Sequence, residues 1–324
     1  MNEIVDLANQ IRCDLEKIHP KMRKTLLRKF PLLVAVMLDA RTANTNELAA
    51  TLPLTTPRLD MRNQWIARLL HNPLLNSYKT IEPFARQLFH NLVESGKTIK
   101  LTLDQENLNN RFDIFLLTIK WAEKSFPLVW RIETAPAQKI INIQLRILEQ
   151  IKHWIPKNAR VRLITERIIP GEELFIWVQG HKWQYQFRLH SDISTILSPD
   201  TQLQHLTIKS LVNDRPSIHP VSLFNKRVST YLLAWHDPQD RSKERFFAID
   251  SNNHYPLPTV IVQSKIGVDW VFAGFNSREF SLRNTQLQYA TRLDHLILIM
   301  SVALYWCNQN SHNYCRVLNR KYQI

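Results

Sequence analysis

Residues 98–104 constrain the fold of this chain more than any other stretch, because polar and apolar side chains alternate along its whole length. The apolar positions are Ile99, Leu101 and Leu103, and the polar positions are Thr98, Lys100, Thr102 and Asp104. A period of two predicts a strand with one apolar face and one polar face that ends in a carboxylate. A carboxylate is costly to bury alone, so the pattern predicts a partner, such as a second acid that shares a metal ion.

The segments that follow predict an α/β unit built around this strand. Short loops separate the first three strand candidates, which favours an antiparallel meander. The later elements alternate between helix and strand. In chain order the candidates are strands 98–104, 112–120 and 127–133, a helix over about 138–155, strand 160–166, a helix opened by Pro170 and Gly171, and strand 183–189. This order predicts a mixed sheet flanked by helices.

A helical crossover is expected to place the fourth strand parallel to the first. Asp104 and Glu166 would then lie side by side at neighbouring strand ends. The remaining chain predicts a helical N-terminal domain over 1–95 and a sheet core over 96–194. A β-rich insertion is predicted over 195–262, with short strands near 207–209, 228–233 and 246–249. Helices near 266–276 and 286–307 complete the core over 263–324.

The charge of the chain indicates what it binds. Lys and Arg number 42 against 28 Asp and Glu, a net charge of +14 spread along the sequence. That excess predicts a polyanionic partner, either nucleic acid or an anionic membrane surface. The longest apolar run, at 296–307, is about 12 residues against roughly 20 for a spanning helix, so no membrane span is expected. The three scattered cysteines and the absence of a signal-peptide pattern predict a cytoplasmic protein.

Two groups of basic residues in the helical segment predict DNA contacts. The first group is Lys21, Arg23, Lys24, Arg28 and Lys29, and the second is Arg58, Arg62 and Arg68. Basic clusters on short helices suit contacts to backbone phosphates. For any single residue the alternative is an ordinary solvated helix face, so the prediction concerns each cluster as a whole.

Three stretches of the chain resemble one enzyme family. They are the strand 101–104, the strand 162–167 with the helix and strand after it, and the segment from Val262 to Leu287. On these stretches the chain resembles insertion-sequence transposases with a DDE catalytic domain, and more narrowly the insertion-sequence-four family. The likeness covers nearly the whole chain. It implies an RNase H-like mixed sheet flanked by helices, with an N-terminal helical domain and a β-rich insertion.

The resemblance also implies an activity and a set of site residues. The acids would be Asp104, Glu166 and Asp269, which would bind Mg²⁺ or Mn²⁺ for cleavage and strand transfer at inverted terminal repeats. Double-stranded DNA would be the partner, both as the transposon ends and as the target. The resemblance also implies a possible homodimer in the DNA complex and a bacterial, nucleoid-associated location. The residues expected to contact DNA are Arg58, Arg62, Arg68, Arg167, Trp235, Lys265 and Asn276.

Departures from the family pattern leave a second interpretation open. The family has Asp where this chain has Glu166, and Glu where it has Asp269. Its Tyr and Lys are replaced by Val262 and Asn276, whereas Lys265 replaces an Arg. Moving a ligand by about 1 Å can slow an enzyme on the order of 100-fold. The alternatives are therefore a decayed or repurposed DNA-binding protein and, less favoured, an RNase H-like nuclease. Arg167 could equally be a surface residue, and for Trp235 the favoured alternative is a core aromatic of the insertion.

Overall fold

The computed structural model describes residues 3–121, 124–165, 168, 170–190, 194–197, 205–207, 217–225, 227–237, 240–250, 280, 282 and 285–309. Five helices precede the first strand. They are α1 (Glu3–Ile18), α2 (Lys24–Ala40), α3 (Thr45–Thr51), α4 (Leu59–Leu70) and α5 (Ser77–Glu94). Asparagine caps begin two of them, because the Asn44 side chain accepts the backbone N–H of Asn46 and the Asn76 side chain accepts that of Lys79. The helical character predicted for the N-terminal segment is confirmed.

Three antiparallel strands follow as the sequence predicts. They are β1 (Ile99–Leu108), β2 (Phe112–Trp121) and β3 (Lys124–Thr134). Leu101 pairs with Ile119 across β1 and β2, and Ile114 pairs with Ile132 across β2 and β3. The predicted strand is too short, because β1 runs past Asp104 to Leu108. Asp104 therefore lies inside the strand and not at its end.

The crossover part of the fold carries two parallel strands. Its elements are α6 (Ile140–Lys152), β4 (Val161–Thr165), α7 (Glu172–Gly180) and β5 (Gln184–Arg188). β4 lies parallel to β1 with Leu101 opposite Leu163, and β5 lies parallel to β4 with Leu163 opposite Tyr185. The strand order β3-β2-β1-β4-β5, with β2 antiparallel to its neighbours, is the RNase H-like arrangement. The predicted fold class is confirmed.

The later strands extend this sheet. They are β6 (Ser194–Leu197), β7 (His205–Thr207), β8 (Ser217–Leu223), β9 (Val228–Asp237) and β10 (Asp240–Ile249). β10 pairs antiparallel with β5 through Phe247 and Arg188, and the order continues β10-β9-β8-β6-β7. The β-rich character of the insertion is confirmed, and its strands prolong the sheet at the β5 edge. The helix predicted near 266–276 lies outside the described residues.

The last described helix, α8 (Ala290–Gln309), joins the N-terminal helices to the sheet. It packs against α2, α4, α5 and β3. Asp294 accepts the indole N–H of Trp130 at 2.7 Å and the hydroxyl of Ser77 at 2.6 Å. The ring nitrogens of the buried His295 lie 2.8 Å and 3.0 Å from the carbonyl oxygens of Leu70 and Leu75. We call Asp294 and His295 the α8 clasp.

One apolar core contains side chains from the N-terminal helices, the sheet and α8. Leu33, Leu103 and Leu296 are each fully buried in it, although they come from α2, β1 and α8. The domain boundaries given above stay predictions. None of the helices in the described ranges has the length and apolar character needed to cross a bilayer.

Candidate active site and nucleic-acid surface

Asp104 occupies a central position in the sheet. Its strand, β1, has β2 on one side and β4 on the other, and Asp104 itself pairs with Leu116. Only 1% of the residue is exposed, and its Oδ1 accepts the backbone N–H of Gln105 at 2.8 Å. Burying a carboxylate in a core strand is costly for folding. Such a residue is therefore a candidate for function.

Other buried polar residues share the sheet face of Asp104. Alternation along β1 places Thr102 and Glu106 on this face, and both are only 8% exposed. Lys100 of β1 lies on the same face as Thr102 and pairs with Arg162 of β4, which is fully buried. The sequence prediction missed Glu106 because the predicted strand stopped at Asp104, where the alternation gives way to the all-polar run 104–107.

The buried arginine of this face has a defined partner on the next strand. The Nη2 and Nε atoms of Arg162 donate to Oε1 of Gln184, at 3.1 Å and 3.4 Å. Gln184 begins β5, so the contact links the two parallel strands on the polar face. Alternation within the predicted strand 160–166 was the signal that could have identified Arg162. The central strands thus carry carboxylates, a guanidinium and an amide on one face.

The other two predicted acids, Glu166 and Asp269, lie outside the described residues. Leu103 pairs with Thr165, the last residue of β4, so the described register ends directly before position 166. Among the described residues, no group of three His, Cys, Asp or Glu side chains is arranged to hold a metal ion. The oxygen donors of Asp104 are of the type that Mg²⁺ prefers. The three-acid site stays a prediction.

The three arginines of the second predicted basic group, in and directly before α4, have different surroundings. Arg58 is exposed and forms a bidentate ion pair with Asp60, at 2.6 Å and 3.1 Å, which raises the pKa of the guanidinium. Arg62 donates to the carbonyl oxygens of Thr56, Ala50 and Leu54 at 2.8 Å, 3.1 Å and 3.2 Å. Arg68 is exposed near the end of the helix. Arg62 therefore braces the loop between α3 and α4, whereas Arg68 is open to solvent.

These surroundings predict separable effects for two arginines of the same helix. Arg62→Ala is expected to lower the free energy of unfolding by about 1–3 kcal/mol, because loop carbonyls lose their donors. Arg68→Ala is expected to leave stability within about 0.5 kcal/mol and to weaken DNA binding. Urea unfolding and a DNA-binding titration on both variants would measure this. An Arg62→Ala protein as stable as the parent would contradict the bracing role.

The remaining predicted DNA contacts are only partly described. Arg167, Lys265 and Asn276 lie outside the described residues. Trp235 lies on β9 opposite Arg245 of β10, and for Trp235 only the backbone is described. Each of these four residues stays a predicted contact.

The chain matches no family model and no curated protein. Among solved structures, it is similar to Argonaute of Marinitoga piezophila, crystallised with a 5′ OH guide RNA and target DNA. The match has 9% sequence identity and a TM-score of 0.24, and it covers 70% of this chain and 34% of that one. A match at this TM-score carries no argument about the function of the chain.

Proposed function

We propose that this protein is a DDE-type DNA transposase, which cleaves and joins DNA at the inverted terminal repeats of its own element. The observation that carries the proposal is Asp104, a buried carboxylate on the central strand of an RNase H-like sheet. It stands beside the parallel strand β4, at whose end Glu166 follows in the sequence. The resemblance to the family supports Glu166 and Asp269 as the other two acids.

Each residue has a role in this proposal. Asp104, Glu166 and Asp269 would hold divalent cations, which supply activation of the attacking oxygen and stabilisation of the leaving oxygen in phosphoryl transfer. Asp104 lies on the strand next to β4, so its carboxylate would be one of the metal ligands. Burial in the strand holds its carboxylate in one orientation, because packed neighbours restrict its movement.

The charge of the chain supports DNA as the substrate. A net charge of +14 attracts polyanions and speeds their encounter with the protein. Arg58, directly before α4, and Arg68, near its end, are both exposed and would contact backbone phosphates. Arg167, Trp235, Lys265 and Asn276 would contact DNA nearer the proposed site, with Trp235 stacking on an unpaired base.

A second candidate is a DNA-binding protein that descends from a transposase and no longer cleaves. The exchanged acids at Glu166 and Asp269 favour it, because each moves a carboxylate by about one C–C bond, roughly 1.5 Å, relative to the family pattern. The two changes lie at different places in the chain, so they do not compensate in any simple way.

The test uses purified protein and labelled duplexes that carry the repeats flanking its gene. We expect the logarithm of the binding constant to fall linearly with the logarithm of the salt concentration. We also expect nicks at the repeat boundary in Mg²⁺ or Mn²⁺. Binding without cleavage in either metal would overturn the transposase proposal and favour the DNA-binding descendant. A protein that binds no duplex at low salt would overturn both.

A further inference from the structure

An open groove lies between the edge strand β3 and helix α6. It has a volume of about 520 Å³ and is lined by Arg131, Asn142, Leu145, Arg146, Glu149 and Gln150. Arg131 comes from β3, and the other residues come from one side of α6. This volume is large enough for a segment of a polymer and larger than the volume that a single small ion occupies.

Two arginines line this groove, Arg131 and Arg146. Arg131 is half-buried, and its described hydrogen bond goes to the carbonyl oxygen of Trp130 at 3.3 Å. Burial lowers the pKa of Arg131, the charge of Asp294 opposes this, the nearby charge of Arg146 lowers the pKa further, and the charge of Glu133 raises it. Within the described ranges, neither guanidinium forms an ion pair with a carboxylate. Two neighbouring cations, one of them half-buried, form a site that favours an anion.

The acid in the groove does not neutralise the arginines, because it has other partners. Glu149 accepts the indole N–H of Trp177 at 2.6 Å and the ammonium of Lys152 at 2.5 Å. These contacts hold the pKa of its carboxyl below the ordinary value. The lining of the groove therefore holds two guanidinium groups and one carboxylate, which is already paired with Lys152.

The groove lies on the sheet face opposite Asp104. Gln105 pairs with Phe115, and Phe115 pairs with Arg131, so these side chains share one face. Asp104 is the neighbour of Gln105 in the strand and points to the other face. The groove is thus separate from the proposed active site.

We propose that this groove binds backbone phosphates of the DNA, with Arg131 and Arg146 as the ligands and the Asn142 amide as an additional donor. The inference rests on the proposed function for the identity of the polymer. A guanidinium suits this role because its donors match two phosphate oxygens at once. The contact would hold DNA on the side of the sheet away from the acids and extend the surface that binds the duplex.

The test compares Arg146→Ala and Arg131→Met with the parent, and Arg12→Gln serves as the control. Arg12 is an exposed arginine on α1, far along the chain from the groove. Each groove variant should bind duplex DNA on the order of 10-fold more weakly at moderate salt. Each should also reduce the slope of log affinity against log salt by roughly one. The control should change affinity by less than about twofold.

A second arm uses inorganic phosphate alone. Thermal melting is compared in phosphate and in chloride at equal ionic strength, for the parent and for Arg146→Ala. If phosphate stabilises only the parent while DNA affinity is the same in all variants, the groove binds free anions and the DNA proposal is overturned. Unchanged DNA affinity together with no phosphate effect would overturn the site altogether. If the parent protein binds no DNA, the proposed function is overturned. The melting comparison in phosphate would still show whether the groove binds anions.

Discussion

Asp104→Asn is expected to reduce metal-dependent DNA cleavage on the order of 100-fold or more. Asparagine has nearly the same shape as aspartate, but it is neutral and has one carboxylate oxygen fewer to offer a cation. The substitution should be accommodated at this 1% exposed position without a steric clash. Cleavage of repeat-end duplexes in Mg²⁺ and in Mn²⁺, measured at saturating protein, would show the loss.

Two controls distinguish loss of catalysis from loss of fold or of DNA binding. Asp104→Asn should bind the duplex with the parent's affinity, and Glu16→Gln, at an exposed acid on α1, should cleave like the parent. If the exchanged acids limit the rate, Glu166→Asp combined with Asp269→Glu should raise cleavage above the parent. Equal cleavage by the parent and Asp104→Asn would remove Asp104 from the proposed mechanism.

Loss of the α8 clasp is expected to have the largest effect on stability. His295→Ala leaves the carbonyl oxygens of Leu70 and Leu75 without the ring nitrogens that now contact them. Asp294→Ala leaves the indole of Trp130 and the hydroxyl of Ser77 without their acceptor. An unsatisfied buried polar group costs about 1–3 kcal/mol and each variant leaves two such groups, so each variant should lose about 2–6 kcal/mol of unfolding free energy. Chemical denaturation followed by circular dichroism would measure the loss.

The same experiment tests how the N-terminal helices relate to the sheet. Because the clasp connects α8 to β3, to α5 and to the loop before α5, we expect one unfolding transition for the helices and the sheet together. Thr291→Ala, at an exposed position of α8, is the matched control and should change stability by less than about 0.5 kcal/mol. Two transitions, with only one shifted by His295→Ala, would instead support an independent helical domain over 1–95.

Local patterns were sufficient to predict the central sheet. Alternation identified β1, and apolar runs with short loops identified β2 and β3, because strand pairing buries one face of each hairpin. The helix between β3 and β4 predicted a parallel return, which the pairing of Leu101 with Leu163 confirms. The positive net charge, read from composition alone, predicted a polyanionic partner. All of these inferences depend on neighbouring residues or on sums over the chain.

Contacts between distant segments were decided only by the tertiary structure. The α8 clasp and the placement of Arg131 beside Arg146 each join residues whose separation in sequence carries no periodic signal. The attachment of β10 to β5 belongs to the same class, since any strand with free backbone groups offers an edge to pair with. For Asp104, the residue type and the alternation along the sequence predicted a functional carboxylate. Its burial inside a strand that continues to Leu108 depends on neighbours that only folding brings together.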